Sequence, residues 1–150
     1  MLAGLTWPNT AIMYNKCMTI PWKDDYNLGI KEIDDQHKRF IGILNELYDA
    51  IKEMQMSEKV GAILESLDAY TNMHFATEEK YFETFHYLDA EHHKEEHKGF
   101  KAKLFELKNA RFASESEMAL AFTDALESWL IDHIATSDKK YVSLFHEHGL

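Results

Sequence analysis

The chain has 150 residues, the size of one compact domain, and 45% of them are hydrophobic and 13% aromatic, enough apolar surface to build a core. Acidic residues outnumber basic ones by 26 to 16, a formal charge of −10 with neutral histidine. That balance argues against a nucleic-acid backbone or an anionic lipid surface as partner, since both attract a basic face. No apolar run approaches the roughly 18 residues of a membrane-spanning helix, so no membrane insertion is expected. A single cysteine, Cys17, excludes an internal disulfide and a cysteine-rich zinc site. Met1 to Thr10 lack a basic segment followed by a long apolar one, which predicts no signal peptide and a cytoplasmic location.

In chain order, residues 1–18 read as an N-terminal extension of uncertain order, with Met18 an alternative start. Residues 19–150 read as one domain. Its first part, to residue 33, is an irregular arm in which Thr19 to Ile30, with Pro21, Trp22 and Gly29, is aromatic enough to lie across whatever follows. Both prolines, Pro8 and Pro21, precede the periodic part of the chain, so everything after them can be helical.

From Asp34 onward, apolar residues recur at spacings of three and four in four stretches, the pattern of amphipathic helices. The first is expected from about Asp35 to Met54, with Asp34 as N-cap and Phe40, Ile41, Leu44, Leu47, Tyr48 and Ile51 on its apolar stripe. His37 falls on the same stripe. The second is expected from Ser57 or Glu58 to Phe85, and there His74 and Glu78 interrupt the apolar face. The third, about Asp89 to Asn109, carries His93 and His97 in phase with Phe100, Leu104 and Leu107. The fourth opens on Ser114 and Glu117, an S-x-x-E capping box, and continues through Phe122, Leu126, Trp129, Leu130 and His133 toward Leu144. Four such helices with short connections predict an all-α fold, an antiparallel up-down four-helix bundle with an N-terminal irregular arm.

Histidines on buried faces carry the chemical signal. His74 and Glu78 are four residues apart, as are His93 and His97, which places each pair on one side of a helix about 6 Å apart along its axis. With His37 and His133, all four helices would contribute inward-facing donors. Each buried polar group left without a partner costs about 1 to 3 kcal/mol, so something must satisfy them. Imidazole with carboxylate suits iron, zinc, copper or nickel, and five histidines exceed what one ion with an open position takes; two ions bridged by carboxylates fit the count better. His86, His92, His146 and His148 fall in a turn, off phase or near the C-terminus and are expected to be solvent-exposed. The Glu95–Glu96 pair reads as solvated charge, and no site role is assigned to Tyr14, Tyr26 or Tyr141.

The series His37, His74-x-x-x-Glu78, His93-x-x-x-His97 and His133-x-x-x-x-Asp138 resembles the hemerythrin family, specifically its single-domain bacterial members. The surrounding words agree: Gly29-Ile30-x-x-Ile33-Asp34-x-Gln36-His37, His74-Phe75-x-x-Glu78-Glu79 and Trp129-Leu130-x-x-His133-Ile134. The resemblance covers about residues 20 to 145. It implies two non-haem iron ions with an oxo or hydroxo bridge, one held by His93, His97 and His133, the other by His37 and His74, with Glu78 and Asp138 bridging. It further implies a vacancy for O2 on the second ion, inside a dry pocket. Helical offsets from the ligands give Phe40, Phe75, Phe100, Trp129, Leu130 and Ile134 as the pocket wall, in keeping with the apolar pocket of the family.

The function so implied is reversible O2 binding for storage, transport or delivery, by a monomer that is not an enzyme and passes O2 to an O2-consuming enzyme. The alternatives are an O2 or redox sensor acting through a partner, and a di-iron oxidase or peroxidase. A ferritin-like oxidase would show two Glu-x-x-His motifs, and only Glu83-x-x-His86 fits. One spacing resists simple geometry: the five residues from His133 to Asp138 turn an ideal helix by about 140°, so a π-type turn or a bend is expected there.

Overall fold

The computed structural model describes residues 19–150; the extension 1–18, with Cys17, lies outside the described residues. A single 3-10 turn at Asp24–Tyr26 leads into four long helices: α1 (Lys31–Lys52), α2 (Met56–Phe85), α3 (Ala90–Asn109) and α4 (Glu115–Asp132). α4 runs on without a break into a π turn at His133–Ser137 and a 3-10 turn at Asp138–Tyr141, and a short α5 (Val142–Glu147) follows. No strand occurs among the described residues. The connections are so short that consecutive long helices run antiparallel, and each buries its apolar stripe against its neighbours.

Two apolar clusters build the interior. The larger runs along the bundle from Ile20 and Phe40 through Leu47, Met56, Leu67, Phe100 and Leu126 to Ile134. The smaller gathers Leu28, Ile30, Ile33, Phe82, Tyr141 and Phe145 around the end where the arm meets α5. Full burial of one such Leu, Ile or Phe contributes roughly 1.5 to 3 kcal/mol, which is why the three- and four-residue periodicity dictates the packing.

The arm lies against the bundle as its aromatic content predicts. Ile20 is buried, and its backbone N–H and C=O both bond the Asn45 side chain, at 2.8 and 3.1 Å. Helix boundaries follow local chemistry. Ser114 caps α4 by accepting from the Glu117 N–H at 3.1 Å, while the Glu117 carboxylate reaches back to the Ala113 N–H at 2.7 Å. The S-x-x-E box therefore forms with its return bond displaced by one residue. α2 ends where His86 adopts a left-handed φ of 55°.

Asp34 departs from expectation. α1 starts at Lys31, and Asp34 sits inside its first turn rather than at its N-cap. Its carboxylate accepts from the Leu28 and Gly29 N–H groups at 2.8 and 3.0 Å, so it ties the arm to the helix. Gly29, at φ 73°, supplies the left-handed residue this reversal requires.

Candidate metal centre

The histidines sort cleanly. His37, His74, His93, His97 and His133 are buried, whereas His86, His92, His146 and His148 are exposed. The five buried rings converge on two fully buried carboxylates, Glu78 of α2 and Asp138 at the start of the 3-10 turn. α1 delivers His37, α2 His74 and Glu78, α3 His93 and His97, and the π turn His133.

That turn resolves the awkward five-residue spacing. The Asp138 N–H bonds the His133 carbonyl, five residues back, and the wider turn brings the two side chains onto one side. Asp138 Oδ1 then lies 3.1 Å from His133 Nε2.

The two carboxylates divide the rings into two sets. Asp138 Oδ1 faces His93 Nε2 at 3.2 Å as well as His133, while its other oxygen, Oδ2, faces His37 Nε2 at 3.0 Å. Glu78 Oε2 lies 3.0 Å from His97 Nε2, 3.6 Å from His74 Nε2 and 3.7 Å from His93 Nε2. One donor atom each from Glu78, His93, His97 and His133 falls within a sphere of mutual distances below 4.8 Å, and the same holds for His37, His74, Glu78 and Asp138. Glu78 is common to both groups. Asp138 spans them.

These atoms approach one another without hydrogen-bond geometry. His37 Nδ1 and Nε2, Glu78 Oε2, the Nε2 atoms of His93, His97 and His133, and both Asp138 oxygens are buried with no hydrogen-bond partner among the described residues. Eight such atoms, at about 1 to 3 kcal/mol each, would cost as much as the roughly 5 to 15 kcal/mol by which a domain of this size is stable. Cations at the two points on which they converge would satisfy all but the His37 Nδ1 atom, and borderline N,O donor sets of this kind fit iron, zinc, copper or nickel.

The electrostatics agree with a site built for positive charge. Burial would raise the Glu78 carboxyl, and so would Asp138, but the facing His74, His93 and His97 rings outweigh both and hold it low. For Asp138 burial is likewise overcome, by His133, His37 and His93. His93 would be lowered by burial, yet its contacts with Asp138 and Glu78 lift it to about 9. His74 goes the other way: burial outweighs the pull of Glu78 and holds it at about 4.

Aromatic rings close the cluster on both sides. Phe75 stacks on His97 with centroids 3.7 Å apart and planes 5° from parallel, and lies 5.7 Å from His74. Phe100 packs on Phe40 at 5.9 Å, on Phe75 at 6.1 Å and on Trp129 at 4.2 Å, forming one continuous belt. Leu130 and Ile134 are buried in the same apolar cluster. On the opposite side Phe82 meets His93 at 4.8 Å and Tyr141 at 5.4 Å. Trp129 is only half-buried. It stacks on His133 at 4.3 Å, and both border a surface cleft of about 450 Å³ shared with Glu96, Asp132 and Lys140.

Comparison with known proteins gives this arrangement a family. Residues 28–145 match the Hemerythrin HHE cation binding domain. The chain belongs to the hemerythrin family. Among its relatives, the bacteriohemerythrin of Stenotrophomonas maltophilia (strain R551-3) is 35% identical over 127 residues, covering 85% of this chain and 82% of the relative. That of Pseudomonas aeruginosa (strain LESB58) is 35% identical over 81% of this chain and 78% of the relative. The Clostridium acetobutylicum bacteriohemerythrin is 29% identical over 81% of this chain and 97% of its own length.

Four residues that sequence reasoning left out of the site touch it. Tyr141 donates to Glu78 Oε1 at 2.6 Å. Gln36 Oε1, Glu79 Oε1 and Glu96 Oε2 meet the outer ring nitrogens of His74, His97 and His133 at 2.7, 3.0 and 2.8 Å. Glu96 is thus a buttress of His133 rather than one of a pair of solvated charges. The words Gln36-His37 and Glu78-Glu79 contained two of these residues, but nothing in the sequence says that each serves a histidine other than its neighbour.

Proposed function

We propose that this hemerythrin-family chain holds two iron ions between its four helices and uses them to bind O2 reversibly, for storage, transport or delivery to an O2-consuming enzyme in the cytoplasm. One observation carries the reading: seven buried donor atoms from six residues, unpartnered among the described residues, point at two adjacent positions that share Glu78 and Asp138. His93, His97 and His133 would hold one ion, His37 and His74 the other, and the two carboxylates would bridge. Three imidazoles against two leaves the second position with fewer protein donors and so with room for a small ligand.

When bound, a di-ferrous pair supplies two electrons and an open coordination position to O2. Everything else is the work of the chain. Asp138 sets one oxygen toward each position, fixing their separation. Tyr141 occupies Glu78 Oε1 and leaves Oε2 facing the rings. Phe40, Phe75 and Phe100 with Leu130 and Ile134 keep the interior apolar, which excludes the water and anions that would displace a weakly held neutral ligand.

The oxidase alternative loses its motif. Glu83 and His86, the only Glu-x-x-His match, are both exposed. The deciding experiment is an iron count per chain alongside visible spectra through a cycle of anaerobic reduction, air and argon. Two irons per chain, with an absorption band that appears with O2, vanishes under argon and returns, is the expected result. Steady consumption of peroxide or of an oxidisable substrate would replace this reading with an enzymatic one.

A further inference from the structure

With their Nε2 atoms turned inward, His74, His97 and His133 present Nδ1 to side chains behind them, and those side chains differ in charge between the two sets. His97 Nδ1 lies 3.0 Å from Glu79 Oε1, and His133 Nδ1 lies 2.8 Å from Glu96 Oε2. His74 Nδ1 instead meets Gln36 Oε1 at 2.7 Å, and His37 Nδ1 is buried with no partner among the described residues.

The amide orientation of Gln36 is fixed by its surroundings. Thr77 spends its hydroxyl hydrogen on the Met73 carbonyl at 3.0 Å, so toward Gln36 it can only accept, and Gln36 Nε2 donates to it at 3.3 Å. Oε1 is therefore the atom left for His74, whose Nδ1 must carry the hydrogen and whose Nε2 lone pair points inward. Glu79 and Glu96 impose the same tautomer on His97 and His133, but as anions. An imidazole that donates to a carboxylate is a stronger metal donor than one that donates to an amide, and the added negative charge attracts the cation directly.

We propose that the two cation positions are unequal by construction: Glu79 and Glu96 make the His93–His97–His133 position the tight one that fills first, while the neutral Gln36 leaves the His37–His74 position the weaker, exchangeable one. This rests on the cation-binding reading of the centre. Its consequence is that the ion with room for a ligand is also the ion that is lost and reloaded, and the three-histidine ion stays as the anchor of the bundle. Glu79, Glu96 and Gln36 are positioning residues here, each acting through a histidine. Glu79 and Glu96 keep about a third and a quarter of their side-chain surface exposed, so their isosteric glutamine variants can fold.

The test is stepwise addition of cobalt(II) to the metal-free full chain, followed by calorimetry and by the visible bands that report cobalt coordination. The parent should show two resolved steps. Glu79→Gln with Glu96→Gln should weaken the first step by roughly 10- to 100-fold and leave the second in place. Gln36→Glu should strengthen the second step by a similar factor and leave the first in place, a gain that a damaged fold cannot produce. Two equal steps in the parent, a first step untouched by the glutamine pair, or a second step untouched by Gln36→Glu would each overturn the proposal. A parent that takes up no cobalt would overturn the metal centre itself, a distinct outcome.

Discussion

Tyr141 and Glu78, which are 63 residues apart in the chain, share a buried hydrogen bond of 2.6 Å, and neither side chain is exposed to solvent. Burial, together with Asp138 and Glu78, pushes the Tyr141 phenol well above its ordinary value, so it stays a donor at any working pH. Tyr141→Phe removes the hydroxyl and leaves Glu78 Oε1 without a partner. A lost hydrogen bond to a charged group is worth about 1.5 to 3 kcal/mol, and each kcal/mol moves Tm by about 2 to 4 °C in a chain of this size. Thermal unfolding of the metal-free variant should therefore fall by roughly 3 to 12 °C. An unchanged Tm would mean that Tyr141 does not hold Glu78.

Asp138→Asn preserves shape and changes charge. One aspartate oxygen faces His37 and the other faces His93 and His133, so an amide must turn an NH₂ group toward one set. That group repels a cation. Metal content after loading should drop from two ions per chain to one or fewer, as measured by elemental analysis against protein concentration; retention of both would rule out Asp138 as a bridge.

His74→Ala removes one of the two imidazoles expected at the position with room for O2. The O2-dependent visible band should be lost while the three-histidine set stays intact. A normal, reversible band in this variant would sink the proposed assignment of the O2 position.

Six of the seven clustered residues were legible because helical spacing converts directly into a shared face; the seventh, Asp138, was reached only through the family resemblance. His74 with Glu78, and His93 with His97, need only the four-residue repeat, and the mismatch between His133 and Asp138 called for either a π turn or a bend, of which the structure contains the π turn. Asp34 misled because an aspartate before an apolar stripe looks the same whether it caps its own helix or receives the loop before it. Gly29, five residues upstream, was the sign of the second case. Glu79 and Glu96 were not legible at all. Each sits beside one clustered residue in sequence and meets the ring of another across the bundle, and that depends on the relative register of two helices, which periodicity within one helix does not encode. Tyr141 follows Asp138 by three residues, so its direction was open to inference, but the depth of its burial came only from α5 and the arm packing over it.

Phe75→Ala should separate stability from function. Phe75 is buried, stacks on His97 and joins His74 to the Phe100–Trp129 belt. Truncating a buried Phe costs about 3 to 5 kcal/mol, which would be visible as a lower denaturation midpoint. The space left beside the rings also admits water to the centre, so the O2 adduct should decay faster in the variant than in the parent when followed by its visible band in air. A destabilised variant whose adduct decays at the parental rate would make Phe75 a core residue only.

The metal-free chain should also carry a pH signature of the waiting carboxylates. His93 is raised from 6.5 to about 9, so its contribution is fully present below pH 6.5 and is lost as pH climbs through 9, up to about 3 kcal/mol. His133 is shifted the same way, with burial opposed and exceeded by Asp138. His74, held by burial at about 4, contributes in the opposite sense: its stabilisation is present above 6.5 and is lost as pH falls toward 4. Stability of the metal-free chain, measured by urea unfolding across this range, should therefore peak near pH 6.5 and decline on both sides. His93→Gln should flatten the alkaline limb. In the metal-loaded chain the Nε2 atoms hold cations instead of protons, so the decline between pH 6.5 and 9 should disappear; an identical alkaline limb with and without metal would show that His93 does not face the cation.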